Sequence, residues 1–400
     1  MQLDRDLRSH WTLDPKVCFL NHGSYGAVLA EIQEVQQDYR DRLEREPVDF
    51  LQRAFASLLD NARARVAQFV GARPGGLVFT DNATAGVNAV LRSLTFEPGD
   101  ELVCTNHAYN ACSNVLHHVA NRFGAKVVVA QVPFPLKSED EVVEAIESVI
   151  TGRTKIALVD HVTSPTGLVF PIQRIVDSLK ERGVDTLVDG AHGPGMLPLN
   201  LHRLGAAYYV ANGHKWLCAP KAVGFLYVRE DRAKGITPVV ISHGANSKRA
   251  GYTRLQNEFD WPGTIDPTPI LCLPESIEAL GRLVSGGWPK IYERNHALAR
   301  HGRDLLCKTL GVETPTPDSM VGNLAAVPLP DLQGIAKPGA FESDPLHNSL
   351  RENHGVEIPV VHYPGDPGRL IRLSAHLHNR VEDYETLVKA LGEELAANTA

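Results

Sequence analysis

The chain has 400 residues, 43% of them hydrophobic, enough to bury one large core or a large and a small one. Charged residues make up 22% and the net charge is −7, which argues against a general nucleic-acid surface, where basic residues are in excess. The six cysteines are scattered with no CxxC pair, no apolar run approaches the ~20 residues of a membrane span, and residues 1–6 lack the apolar segment of a signal peptide; the expectation is a soluble cytoplasmic protein with no nucleic-acid or membrane partner.

Residues 17–26 read as a short apolar strand followed by a polar, glycine-bearing turn, with Asn21, His22, Gly23 and Ser24 at its head. Leu29, Ile32, Val35, Gln36 and Tyr39 then recur at helical spacing. Pro47 breaks that pattern, and Phe50, Leu51, Phe55, Leu58 and Leu59 mark a second helix over 48–70. Leu77–Phe79 is a brief strand. It leads through Asp81–Asn88 into an apolar helix bearing Val87, Val90, Leu91 and Leu94. Small and hydroxyl residues between a strand and a helix leave backbone N–H groups facing one spot, which suits a phosphate. A plain N-cap by Asn82 or Thr84 reads equally well from the residues alone.

Further strands are expected at 101–105, 126–132, 155–162 and 186–192, with helices over 139–150 and 171–182 between them. Strand and helix alternate throughout, the pattern of a mostly parallel sheet covered by helices on both faces. Ligands in such sheets sit beyond the carboxyl ends of the strands. The apolar run 206–210 and the strand 223–228 then enclose Ala211-Asn212-Gly213-His214-Lys215-Trp216. A lysine between two buried strands must be paired, neutral or covalently bound. A partly desolvated lysine amine is the group that forms a Schiff base with a carbonyl cofactor. The preceding strand ends on Asp189 and reaches His192. An acid at one strand end and a lysine at the next is the pair that pyridoxal phosphate (PLP) requires, since the acid keeps the pyridine nitrogen protonated. Residues 229–270 read as a long polar loop region, a long helix is expected over 289–310, and strands at 323–327, 356–361 and 370–373 precede a final helix over 381–395.

Asp189-Gly190-Ala191-His192 and Asn212-Gly213-His214-Lys215 resemble the core motifs of fold-type I PLP enzymes of the class V aminotransferase family. The resemblance runs from Asn21 to about Asn379 and is closest to the isopenicillin N epimerase-like and C–S lyase group. It implies an α/β PLP-transferase fold: a large domain with a mostly parallel seven-stranded sheet flanked by helices, plus a small C-terminal α+β domain. The implied division is an N-terminal arm (1–28) contributing to the active site, a large PLP-binding domain (29–288) and a small domain (289–400) joined by part of the arm. Lys215 would carry the cofactor, Asp189 would face its ring nitrogen, and His192 and Ser164 would face its phenolic oxygen. Ala83, Thr84, Asn212 and His214 would hold the phosphate. His107 aligns with the ring that stacks on the pyridine, and Tyr109, two residues on, is the other candidate. Thr264 would reach the phosphate of a neighbouring subunit across a homodimer with shared active sites. Arg372, in a stretch resembling the group's C-terminal Arg-x-Ser-Ala…Asn motif, would bind the substrate α-carboxylate, with Asn21, His22 and Ser24 also touching substrate. Without the family, Arg372 alternates with Ile371 and Leu373 as the solvated face of an edge strand would.

Residues 362–369 contain no cysteine, which excludes persulfide-forming desulfuration. The expected function is a PLP-dependent enzyme acting at Cα and Cβ of an amino acid. A C–S β-lyase on an S-substituted cysteine, in secondary metabolism, is preferred because a thiolate leaves without an acid. Epimerisation comes next and needs an acid on the opposite face, for which Tyr109 and His22 are the candidates. Decarboxylation with oxidative deamination and a catalytically inactive scaffold are the remaining alternatives. No metal is expected.

Overall fold

A computed structural model describes residues 6–330, 342–364 and 366–397. Its strands, in chain order, are β1 (Cys18–Phe19), β2 (Leu77–Thr80), β3 (Glu101–Thr105), β4 (Lys126–Ala130), β5 (Thr154–Asp160), β6 (Asp185–Asp189), β7 (Tyr208–Asn212), β8 (Gly224–Val228), β9 (Leu324–Pro328), β10 (Val356–Glu357), β11 (Val360–His362) and β12 (Arg369–Ser374). Strands β2 to β8 form a seven-stranded sheet in the order β2-β8-β7-β6-β5-β3-β4. Pairing is parallel from β7 through β4, and β8 runs antiparallel to both of its neighbours. The α/β fold with a mostly parallel central sheet is therefore as the sequence implies.

The sheet is covered on both faces because the middle positions of its strands are apolar and successive side chains point to opposite faces. Phe79, Val103, Val159, Val188, Tyr209, Ala211 and Phe225 point into one core. Val78, Leu102, Leu158, Leu187, Tyr208, Val210 and Leu226 point into the other. A third core lies against an antiparallel sheet ordered β11-β12-β9, where Val327, Ile371 and Leu373 meet Leu298, Leu306, Tyr384 and Leu387. Strand β1 pairs in parallel with β10 in a separate two-stranded sheet, and the Ser374 N–H at the end of β12 donates to the Leu20 carbonyl at 3.0 Å, which ties the N-terminal arm to the C-terminal part. Arg372 thus sits on a central strand and is buried, not on the solvated edge that its neighbours' alternation suggests.

The polar stretch 229–270 departs from its reading as a loop. It contains a helix, Arg254–Phe259, started by a capping box in which the Thr253 hydroxyl and the Gln256 side chain each satisfy the other residue's backbone N–H. Asp260, directly after it, accepts two 2.8 Å hydrogen bonds from Arg63, and both side chains are buried. Arg63 also donates to the Leu77 carbonyl at 3.0 Å. Arg249 also pairs with Asp260, at 2.6 Å, so Arg63→Ala leaves Asp260 one partner and is expected to cost about 3 kcal/mol in a denaturant titration, the low end for breaking a buried pair. A loss below ~1 kcal/mol would show that solvent reaches the pair.

Candidate active site

Strands β5, β6 and β7 end together. Asp160 pairs in register with Asp189, and Asn212 closes β7 two residues past the partner of Asp189. Beyond these ends lies a cavity of ≈ 540 Å³, within the usual range for a small-molecule site. Ala83, Thr84, Tyr109, Ser164, Asp189, His192, Asn212, His214, Lys215 and Ser24 all line it, so ten of the sequence-derived candidates converge. The helix Ala83–Ser93 begins at the cavity wall, anchored by Asn212 Oδ1 accepting from the Ala83 N–H at 2.9 Å and by Asn82 capping Ala85. Its positive end faces the cavity, as a phosphate requires.

Lys215 is held by the backbone around it. The Lys215 carbonyl accepts from the Cys218 N–H at 3.0 Å and lies 3.1 Å from His22 Nε2. Cys218 and Ala222 both adopt left-handed φ, 54° and 66°, which non-glycine residues take only when the surroundings impose it. Gly26 (φ 66°) lies against the same segment; a Cβ there would sit 2.3 Å from the His214 carbonyl oxygen. Lys215 is half-buried at the cavity wall, and burial first, then the charge of Arg372, pulls its pKa down to about 8. Asp189, Cys112 and Asp160 act in the opposite direction. Lys215 Nζ stands 3.0 Å from His192 Nε2, and the Trp216 indole N–H donates to His192 Nδ1 at 3.1 Å.

Asp189 Oδ1 accepts from the Ala191 N–H at 3.0 Å and Oδ2 from the Cys112 thiol at 3.2 Å. Burial and the neighbouring Asp189 charge push the Asp160 carboxyl well above the carboxylate range, and Asp160 Oδ2 is buried without a hydrogen-bond partner among the described residues. Arg372 donates to the Ser164 carbonyl and hydroxyl and to the Ser24 hydroxyl, the last at 3.1 Å. Its Nε has no partner, and none of the described carboxylates lies within ion-pair distance. A buried guanidinium lacking a counter-ion suits an incoming anion.

Five candidates are not among the residues that line the cavity. Arg372 lies behind its wall, its guanidinium donating to Ser24 and Ser164, which do line it. His107 is fully buried behind it, with Nδ1 2.8 Å from Thr166 Oγ1 and Nε2 2.8 Å from the Tyr363 hydroxyl, so its ring cannot stack in the site; Tyr109, half exposed at the wall, can. His22 is packed against His376 and His378 beneath Lys215, which removes it as a substrate contact or an opposite-face acid. Asn21 donates to Glu357 at 2.8 Å and stays outside the lining. Thr264 is exposed, away from this chain's own cavity. Asp160 and Trp216 escaped the sequence reading. Asp160 had a visible signal, an acid closing an apolar strand like Asp189, whereas Trp216 had none beyond its place after Lys215.

The cavity fits PLP on its own geometry: a helix N-terminus for the phosphate, a half-buried amine of lowered pKa for the aldehyde, a carboxylate at the cavity floor for the ring nitrogen, and an orphaned guanidinium for a carboxylate. The comparisons agree. The aminotransferase class-V family profile matches residues 24–336. Isopenicillin N epimerase of Amycolatopsis lactamdurans is 34% identical over 96% of this chain and 97% of its own length. A probable chloroplastic L-cysteine desulfhydrase of Arabidopsis thaliana is 30% identical over 94% of this chain and 83% of its own. A cysteine desulfurase of Escherichia coli shares the fold, with a TM-score of 0.79 at 20% identity, covering 98% of both chains. The chain belongs to the aminotransferase class-V family and is a PLP-dependent enzyme.

Proposed function

We propose that the protein is a C–S β-lyase that cleaves an S-substituted cysteine. The observation that carries this reading is the balance of groups at the cavity: one amine of lowered basicity in its lining, Lys215, and one buried guanidinium without a counter-ion, Arg372, held by Ser24 and Ser164 of its wall. Bound there, PLP supplies a pyridine ring that draws electron density from Cα. Arg372 grips the α-carboxylate through its fork. Lys215 takes the α-proton as general base. Asp189 would hold the proton on the ring nitrogen, and His192 and Ser164 would serve the phenolic oxygen. Thr84 and the first turn of its helix, with Asn212 and His214, would hold the phosphate. A thiolate leaves from Cβ without help from an acid.

Epimerisation is the second reading, favoured by Tyr109. Its phenol lines the cavity and is the remaining candidate for the opposite-face acid once His22 is removed. Tyr109→Phe separates the two. A lyase should keep release of pyruvate and thiol within about 10-fold of wild type, whereas an epimerase should lose racemisation of its substrate by about 10²–10⁴-fold, the usual worth of a general acid. Solvent exchange of the α-proton that outruns pyruvate release in the wild-type protein would sink the lyase reading.

Two copies are proposed to share the site. Val239, Val240 and Ile265 are exposed and line a surface cavity with Phe55, Phe259 and Trp261, next to Thr264, which supports Thr264 reaching a neighbour's phosphate. All six cysteines are free, which fits a reducing cytoplasm. Among the described residues, no helix is long and apolar enough to cross a membrane.

A further inference from the structure

Beneath Lys215 lies a group of side chains that the reaction does not use. His22, His376 and His378 are buried, and their ring nitrogens come within 4.8 Å of one another. Cys218 Sγ lies 3.8 Å from His22 Nε2 and 3.6 Å from His376 Nε2. That spacing resembles a metal site, but the ring planes exclude one. His22 and His376 stack at 4.1 Å with an interplanar angle of 15°. Imidazole lone pairs lie in the ring plane, so two stacked rings present them side by side instead of converging on one ion. Both rings also turn Nε2 towards backbone carbonyls, His22 towards Lys215 at 3.1 Å and His376 towards Trp216 at 3.3 Å.

What the histidines hold is the indole of Trp216. The Trp216 ring is fully buried, 5.3 Å from the His22 ring and 6.1 Å from the His376 ring, the latter nearly parallel to it. The clamp aims one atom: the Trp216 N–H donates to His192 Nδ1 at 3.1 Å. An indole N–H can only donate, so His192 Nδ1 must carry a lone pair. Burial, with the charges of Lys215 and Arg372, holds His192 well below its usual pKa, so its ring is neutral. Its one proton is then on Nε2, which faces Lys215 Nζ at 3.0 Å. An ammonium has no acceptor, so that contact exists only when the amine keeps its lone pair.

We propose that Trp216 is a positioning residue that sets the tautomer of His192, holding an Nε2–H donor over the cavity and keeping the Lys215 amine as the free base. The inference rests on Lys215 and His192 belonging to the cofactor site, but the tautomer itself does not depend on the cofactor. The groups that bear on the Lys215 charge are Arg372, Asp189, Cys112 and Asp160. A phenylalanine fills most of the same space without the N–H.

The test is 15N NMR of histidine-labelled full-length protein, before and after adding PLP. The readout is compared among wild type, Trp216→Phe and a variant carrying β-(3-benzothienyl)alanine at 216, which keeps the indole shape and removes the donor. In wild type, His192 should show Nε2 protonated and Nδ1 bare from pH about 6 to about 9. In both variants His192 should become a tautomer mixture, and the Lys215 pKa, read from a 13C-labelled ε-carbon, should rise by about 1 unit, a tenfold loss of free base at neutral pH. A wild-type ring protonated at Nδ1, or variants that keep the single Nε2–H tautomer, would overturn the proposal even if activity fell. If Trp216→Phe does not fold, the isosteric variant decides. A wild-type protein with the expected tautomer that takes up no PLP would end the cofactor reading and leave this one standing.

Discussion

Replacing Lys215 with alanine is expected to lower turnover of every amino-acid substrate by at least ~10⁴-fold, because the proposed role makes one residue both the covalent anchor and the general base, and groups that act as a unit fail together. The variant should still bind PLP, since Thr84, Asn212, His214, Asp189 and Ser164 remain, but the visible band of lysine-linked cofactor should vanish. Absorbance and pyruvate release, with circular dichroism to confirm folding, read all three. The pH dependence of the wild-type protein follows from the same amine. Burial and the Arg372 charge lower its pKa to about 8. The neutral form is the reactive one, so the rate at which cofactor-free protein is reloaded should rise with pH, reach half its maximum near about 8 and flatten above. A reloading rate that falls across that range, or a Lys215→Ala protein retaining more than ~1% of turnover, would contradict Lys215 as anchor and base.

How far the sequence carried this site depends on which physical cue each residue left. Asp189 and Lys215 were legible because each closes an apolar run, and a charge there needs a reason. The sheet was legible because the interiors of β5, β6 and β7 are continuous apolar runs, as strands buried on both faces must be, with polar residues kept to their ends. The helix Arg254–Phe259 was missed because six residues are too few to display a period, although its Thr253–Gln256 capping pair was in plain view. His107 and Tyr109 lie two residues apart, and in the turn after β3 that offset decides which ring meets the cavity and which is driven behind it. No periodicity records that choice. His22 sits beside Ser24 in sequence, yet the short turn 22–25 sends Ser24 to the cavity and His22 to the histidine stack. Trp216 acts through a hydrogen bond to His192, whose ring lies across a strand crossover; nothing local announces such a contact. The residues that reach the cavity from strand ends could be read, and those that act through a second side chain could not.

Arg372→Ala is expected to lower kcat/KM for an α-amino acid by about 10²–10³-fold, roughly 3–4 kcal/mol, the range for removing one partner of a buried charged hydrogen-bonded pair. The burial of Arg372 sets that size. It lies on the central strand β12, desolvation lowers its pKa to about 10, and its hydrogen bonds go only to neutral oxygens of Ser24 and Ser164. Such a cation has been taken from water without its counter-charge, which in the proposed function the substrate carboxylate would supply. The loss should therefore appear mainly in KM. Arg372→Lys should recover only part of it, because an ammonium restores the charge without the planar fork that matches a carboxylate. The decisive comparison uses a substrate without the carboxylate, an S-substituted cysteamine. Wild type should turn it over about 10²–10³-fold less well than the amino acid, and Arg372→Ala should handle the two nearly alike, since the lost contact is the same one seen from either side. If the variant instead lost a further ~10²-fold on the cysteamine, Arg372 would be holding Ser24 and Ser164 in place and the carboxylate would be bound elsewhere. Parallel losses on both substrates and a lowered melting temperature would mark a structural arginine. An equalised pair of rates with an unchanged melting temperature would leave carboxylate recognition as the only role consistent with its geometry.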